Sequence, residues 1–260
     1  MESQVDHLVS KAWEKYQSTP PNQRLLIAIG GIPGSGKTTL SGIITTRLNA
    51  LAAAAAATST STSTSTSTST SSPSPSPSTP PVSSPAAFVP MDGYHLTRAQ
   101  LSALPNPAEA HARRGAVHTF NSAAFLALVR ALRAPLTPHT PTIRAPSFDH
   151  AIKDPREGDI AVVPAHRIVV FEGNYVALDR PVWRDAAALM DELWFVDVDF
   201  DVARRRLVKR HVRAGIASDE EDADRRAREN DLVNGREIVD HRLDVHEVVV
   251  SREDGSWVHE

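Results

Sequence analysis

The sequence predicts an α/β domain: a parallel central sheet covered by helices on both faces, forming a three-layer sandwich. Three observations predict it. Short, continuous apolar runs alternate along the chain with segments of helical spacing, and unbroken apolar strands belong to parallel sheets buried on both sides. The first such run ends in a glycine-rich loop that opens directly into a helical segment, the order of a strand–loop–helix unit. Finally, 41% of the 260 residues are hydrophobic and 23% are charged, as in one soluble domain.

Residues 1–20 place Val5, Leu8, Val9, Ala12, Trp13 and Tyr16 at helical spacing, which predicts an N-terminal packing helix. This stretch has no apolar core of the kind a signal peptide carries. Residues 25–29 form the first buried strand and 37–51 the helix after it. Residues 87–91 are the second strand, ending at Asp92. Asn121 starts a helix whose inner face is Phe125, Leu126, Leu128, Val129 and Leu132. Residues 168–171, ending at Glu172, and 193–198 are the third and fourth strands. Asp201 opens a long arginine-rich helix that Gly215 ends, and 245–250 is the last apolar run.

Residues 52–85 interrupt this pattern. An alanine run at 52–57 passes into alternating Ser and Thr at 58–70 and Ser-Pro repeats at 72–77. Such a segment buries too little apolar surface to offset its ordering entropy. It reads as a disordered surface insertion, helix-prone at its alanine end; a phosphorylatable Ser-Pro tract is the alternative. The whole chain, 1–260, is then one domain. No run of about 18 apolar residues is present to span a membrane. The 28 Lys and Arg against 31 Asp and Glu give a net charge of −3, which argues against nucleic acid as a partner. With no cysteine, disulfides and thiolate chemistry are excluded. A cytoplasmic protein with neither membrane nor nucleic-acid partner is expected.

Gly31-Ile32-Pro33-Gly34-Ser35-Gly36-Lys37-Thr38 satisfies G-x-x-x-x-G-K-[ST], the phosphate loop of P-loop NTPases. Its glycines let the backbone wrap a phosphate with positive φ, and successive N–H groups then face the phosphate at a helix N-terminus. Gly31, Gly34, Ser35, Gly36, Lys37, Thr38 and Thr39 are therefore expected to hold a nucleoside triphosphate. Lys37 reaches the β and γ phosphates and the Thr38 hydroxyl ligates Mg²⁺.

Ligands of open α/β sheets bind beyond the carboxyl ends of the strands. Asp92 and Glu172 stand at two such ends, placed for proton or magnesium chemistry; each could also serve as a local cap. Arg204, Arg205, Arg206, Lys209, Arg210 and Arg213 crowd one helix. Beside a phosphate loop, that cluster reads as a phosphate-facing lid rather than a solvated face neutralised by the acids at 219–224.

The GIPGSGKTTL opening, the MDGYH and FEGNY turns and the arginine-rich lid together resemble the phosphoribulokinase/uridine kinase superfamily of P-loop kinases. The strings PMDGYHLTRAQL, HARRGAVHTFN, APSFDHAIKDP and VFEGNYVAL are most similar to its nucleoside/nucleotide-kinase-like branch, which is similar to bacterial pantothenate kinase. The resemblance implies a nucleotide-kinase-like sandwich and a kinase moving the γ-phosphoryl of ATP to a hydroxyl of a small metabolite. It makes Asp92 the base and Glu172 the magnesium-supporting acid. Lys209, Arg210 and Arg213 become the lid cations on the transferring phosphate. Tyr94, His95, Arg113, Arg114, Asp149, His150 and Asn174 become the acceptor-pocket residues. Asn230 and Asn234 fall near the nucleotide or cap helices, and Gly235 after Asn234 favours a cap there. The expected partners are ATP with Mg²⁺ and a nucleoside, vitamin precursor or sugar; a homodimer is compatible with the family. Ala214 stands where uridine kinases carry aspartate after the lid arginine, so the acceptor stays open. Two other readings remain: a nucleotide-dependent switch acting on a protein partner, and a GTPase, disfavoured because no N-K-x-D string is evident.

Overall fold

Helix α1 (Glu2–Ser18) precedes β1 (Leu25–Gly31), α2 (Lys37–Ser61) and β2 (Ala86–Pro90). A 3-10 turn (Met91–Tyr94) leads to α3 (Arg98–Ser102), α4 (Pro107–Ala112), α5 (Ser122–Arg133) and the strands β3 (Ile143–Asp149) and β4 (Asp154–Val162). Then follow β5 (Ile168–Gly173), α6 (Trp183–Ala187), β6 (Glu192–Asp197), α7 (Phe200–Arg213), α8 (Glu220–Arg226), a π-helical turn (Ala227–Asp231), α9 (Leu232–Asp240) and β7 (Glu247–Val250). This computed structural model describes residues 2–61 and 84–252.

The central sheet has five strands in the order β2-β5-β1-β6-β7, every neighbouring pair parallel. All seven residues of β1 are buried, because both faces are covered. On one face Leu25, Ile27, Ile29, Val170 and Trp194 pack under Leu8 and Ala12 of α1 and Leu40, Ile44 and Leu48 of α2. On the other, Leu26, Ala28, Val169, Phe171 and Phe195 meet Phe125, Val129 and Leu132 of α5 and Trp183 of α6. The period of two along each strand thus supplies two separate cores, and the continuous apolar runs follow from that.

Two differences from the sequence reading, and one contact it did not address, have physical causes. Helix α2 does not stop at 51 but runs through the alanine tract to Ser61, since alanine has the highest helix propensity. Over Lys37–Thr58 this helix is long and apolar enough to meet the length and composition of a membrane span. Its inner residues Leu40, Ile44 and Leu48 are nevertheless buried in the sandwich, so it is a core helix. The rest of the expected insertion, 62–83, lies outside the described residues. Secondly, Asn49 on α2 grips the start of β2 from both sides: its Nδ2 donates to the Ala86 carbonyl (3.1 Å) and its Oδ1 accepts from the Ala86 N–H (2.9 Å). Thirdly, β3 and β4 form an antiparallel hairpin outside the central sheet. It went unread because its exposed Arg144, Arg156, Glu157 and Asp159 and a register shift between Ala145 and Ser147 break the apolar alternation that marks a strand.

Candidate active site

The register brings three strand ends together. β5 lies between β1 and β2, with Gly30 opposite Gly173 and Pro90 opposite Glu172. The loop after β1, the Glu172 carboxylate and the turn bearing Asp92 therefore share the carboxyl edge of the sheet. Close packing sets the spacing: a Cβ on Gly173 would lie 2.4 Å from the Met91 Cβ, and one on Gly93 would lie 2.1 Å from the Pro146 carbonyl of β3. Glycine is required at both positions, because the Asp92 turn is wedged between β5 and the hairpin. Gly173→Ala is expected to displace that turn and cost about 1–3 kcal/mol, roughly 2–4 °C of Tm per kcal/mol for a chain this size. Thermal melting checks it.

The phosphate loop has the backbone its motif predicts. Gly34 and Gly36 have φ of 81° and 90°, the left-handed region that favours glycine, and Gly34 packs against the Ala203 carbonyl of α7. Ser35 is fully buried and its Oγ has no hydrogen-bond partner. Lys37 is 8% exposed. Its Nζ donates to the Ile32 carbonyl (3.3 Å) and lies 3.9 Å from Glu172 Oε1. The Thr38 side chain is hydrogen-bonded to Glu172, so loop, helix N-terminus and acid form one unit.

Burial dominates the charges here. It pushes the Glu172 carboxyl up to about 7; Asp92 adds to the rise, while Lys37, Thr38 and Arg210 oppose it. Burial likewise pushes the Lys37 ammonium down, against the pull of Glu172 and Asp92. Because Glu172 holds its proton more tightly in the folded state, its stabilising contribution is present below its ordinary 4.5 and is lost as pH rises towards about 7. Ligand-free protein is therefore expected to lose thermal stability over that window, and Glu172→Gln to flatten the slope; melting curves across pH check it.

On α7, capped by Asp199 (Oδ1 to Asp201 N–H, 2.9 Å), the cluster divides by face. Arg210, exposed and one helical turn beyond Arg206, lies near enough for its charge to act on both Lys37 and Glu172. Arg213 is exposed in the last turn. Lys209, expected among the nucleotide-binding cations, turns away: it lines a groove with Asp201, Arg204, Arg205, Glu220 and Asp224. One residue step rotates a side chain by about 100° around the helix, which is enough to place it against α8.

The acceptor-pocket residues are only partly gathered. His95 follows Asp92 closely, its Nδ1–H donating to the Asp92 carbonyl (2.8 Å) and its ring packed on Phe120 and Phe148. Burial holds its imidazole below the ordinary value. Arg114 lies over the Phe148 ring, but its donors are engaged by the Leu96 and Lys153 carbonyls and the Asp154 carboxylate; it ties the hairpin down. Asn174 directly follows β5, half-buried. Tyr94 is buried and packed edge-on against Phe125, and it lines a cavity with Gly93, His95 and Pro146. Three expectations need correction. Asp149 caps the hairpin turn, accepting from the Ala151 and Ile152 N–H groups and pairing with Arg156, the ordinary behaviour of aspartate in a turn. His150 sits exposed at the hairpin tip. Asn234 caps nothing: it lies inside α9, 2% exposed, and its Oδ1 accepts from Arg113 (2.8 Å).

That last bond belongs to an arrangement the sequence reading missed. Arg113 also donates to the Glu229 carbonyl, and Asn230 Nδ2 donates to the Arg114 carbonyl. In the same π-helical turn Asp231 pairs with the buried His211 of α7 (2.8 Å). The segment after α4 and helix α7 are thereby both fastened to the π-helical turn. A mid-helix π-turn of this kind often accompanies a functional site, but no spacing in the sequence marks it. Arg206, expected only as a member of the basic cluster, donates to the loop carbonyls of Gly34 and Ser35.

A parallel sandwich with a phosphate loop on its central strand and acids at the adjoining strand ends defines a P-loop nucleotide-binding protein. No family model matches the chain. An ATP-dependent kinase-like protein of Aspergillus versicolor is 53% identical over 167 residues, covering 64% of this chain and 95% of the relative. A Schizosaccharomyces pombe protein with a provisional uridine kinase name is 36% identical over 234 residues, covering 89% of this chain and 84% of the relative. Among solved structures, a Silicibacter protein described provisionally as a fructose transport system kinase superposes with a TM-score of 0.69 at 31% identity, covering 93% of this chain and 98% of that one. The chain belongs to the phosphoribulokinase/uridine kinase superfamily of P-loop kinases.

Proposed function

We propose that the protein transfers the γ-phosphoryl of ATP to a hydroxyl of a small metabolite, of the nucleoside, vitamin-precursor or sugar type. The observation that carries this reading is the Asp92 turn wedged beside Glu172 and across from Lys37. A protein that only bound or hydrolysed nucleotide would need no acid at that second strand end. Lys37 and the loop amides bind the β and γ phosphates at the N-terminus of α2. The Thr38 hydroxyl and Glu172 carboxylate are the hard oxygen donors that suit Mg²⁺. Among the described residues no cluster of three or more His, Cys, Asp or Glu forms a cage, which fits a metal held largely by water and substrate phosphates. When bound, Mg²⁺ neutralises charge on the phosphates. Asp92 orients the acceptor hydroxyl and takes its proton as the oxygen attacks in line. His95, tied to the Asp92 backbone, holds the turn and lines the acceptor side with Phe148. Arg210 and Arg213 act on the transferring group. A cytoplasmic location suits an ATP donor.

The test is ADP release with Mg-ATP against a panel of nucleosides, vitamin precursors, sugars and hydroxy acids. Acceptor-dependent release supports the reading. ATP binding with no stimulation across the panel transfers support to the nucleotide-switch alternative.

A further inference from the structure

We infer that Arg206 is a positioning residue for the phosphate loop, holding its peptides with their carbonyls turned outward so that the Gly36 amide faces the phosphates. The inference rests on the phosphate-loop part of the proposed function. Arg206 Nη1 donates to the Gly34 carbonyl at 3.2 Å and the Ser35 carbonyl at 3.4 Å. In a trans peptide the C=O and the following N–H point to opposite sides. The two bonds therefore turn the Ser35 and Gly36 amides to the concave side of the loop. The Ser35 N–H closes the loop internally on the Ile32 carbonyl (3.1 Å), which Lys37 Nζ also reaches, so the amide that Arg206 leaves turned to the phosphate side is that of Gly36.

The guanidinium is itself anchored from behind. Nη1 donates to Ser251 Oγ at 2.8 Å and Nη2 to the Arg252 carbonyl at 3.2 Å. Ser251 is buried just beyond β7, and its N–H donates to the Asp197 carbonyl at the end of β6 (2.8 Å). Arg206 thus pins loop, lid helix and the last strand's exit together. It differs in task from Arg210, one helical turn further on, whose charge acts on Lys37 and Glu172 directly. Arg206 meets the loop from its carbonyl side, so it shapes the cradle without touching the phosphate. A planar fork suits this multipoint contact, and lysine does not reproduce it.

The experiment measures Mg-ATP, Mg-ADP and adenosine affinity by calorimetry for the full chain and for Arg206→Gln, Arg206→Lys, Ser251→Ala and the Arg206→Gln/Ser251→Ala pair, with melting curves beside each. Losing a charge-assisted hydrogen bond corresponds to roughly tenfold in affinity. Arg206→Gln is expected to weaken Mg-ATP and Mg-ADP by about that factor and to leave adenosine unchanged; Arg206→Lys falls between. Ser251→Ala gives a smaller loss that vanishes in the Arg206→Gln background, because it acts through the guanidinium. Where Arg206→Gln is too unstable to purify, Ser251→Ala, which keeps the guanidinium, carries the same selective-loss test. Wild-type Mg-ATP affinity in a folded Arg206→Gln protein overturns the inference, as does equal weakening of adenosine or additivity of the pair. Wild-type protein that binds no Mg-ATP overturns the phosphate-loop reading as well, which separates the two failures.

Discussion

Asp92→Asn is expected to remove acceptor-dependent turnover while leaving Mg-ATP affinity within about twofold of wild type, with kcat falling roughly 10²–10⁴-fold. The amide keeps the size of the carboxylate but accepts no proton, and the turn that presents it is held by packing, not by the side chain: Met91 against Gly173 on one side and Gly93 against Pro146 on the other. Single-turnover ADP formation separates chemistry from binding. A second consequence is electrostatic. Asp92 is one of the charges that raise Glu172, so removing it lets Glu172 ionise at lower pH, and the pH dependence of Mg²⁺ affinity should move downward. Normal turnover in Asp92→Asn would show that the proton goes elsewhere.

Lys37→Ala has the other large effect. Lys37 is nearly buried, with Glu172 within 3.9 Å, so the substitution removes the donor aimed at the phosphates and strands a buried carboxyl. Loss of one preorganised donor from such a site costs about 10²–10³ in kcat, and Mg-ATP affinity falls with it. Glu172, without the charge that holds its value down, becomes still harder to ionise, and magnesium binding then calls for higher pH. Calorimetry of Mg-ATP across pH reads both effects. Unaltered binding would overturn the role of the phosphate loop.

The sheet and the nucleotide end were readable from the sequence because they depend on local rules. The four expected strands and the last apolar run form the central sheet; burial on both faces makes β1 and most of β5 and β6 plain apolar runs, while β7 at the edge stays partly exposed. The loop is equally local: Gly34 and Gly36 need positive φ, and eight consecutive residues state the requirement. The acceptor end depends on tertiary contacts. Asp149 and Asn234 carry the residue types of a pocket, yet the hairpin turn and Arg113 claim them. Nothing in the strings around them distinguishes the two outcomes. The β3–β4 hairpin hid for the opposite reason: its polar, irregular strands look like loop. Arg206 stood among six neighbouring basic residues, and only its distance to two backbone carbonyls singles it out.

The grip of Asn49 on Ala86 has a consequence for how this chain tolerates a change of length. It closes the path between α2 and β2 with two hydrogen bonds. It does so at the start of β2, the opposite end of that strand from Asp92. The Ser, Thr and Pro repeats at 58–77 lie between Asn49 and Ala86 in the sequence, inside the loop that the bonds close. Doubling the length of a flexible connection costs only about 0.6 kcal/mol. Shortening the Ser/Thr/Pro tract is therefore expected to leave the seam between α2 and β2, and with it the melting temperature, nearly unchanged.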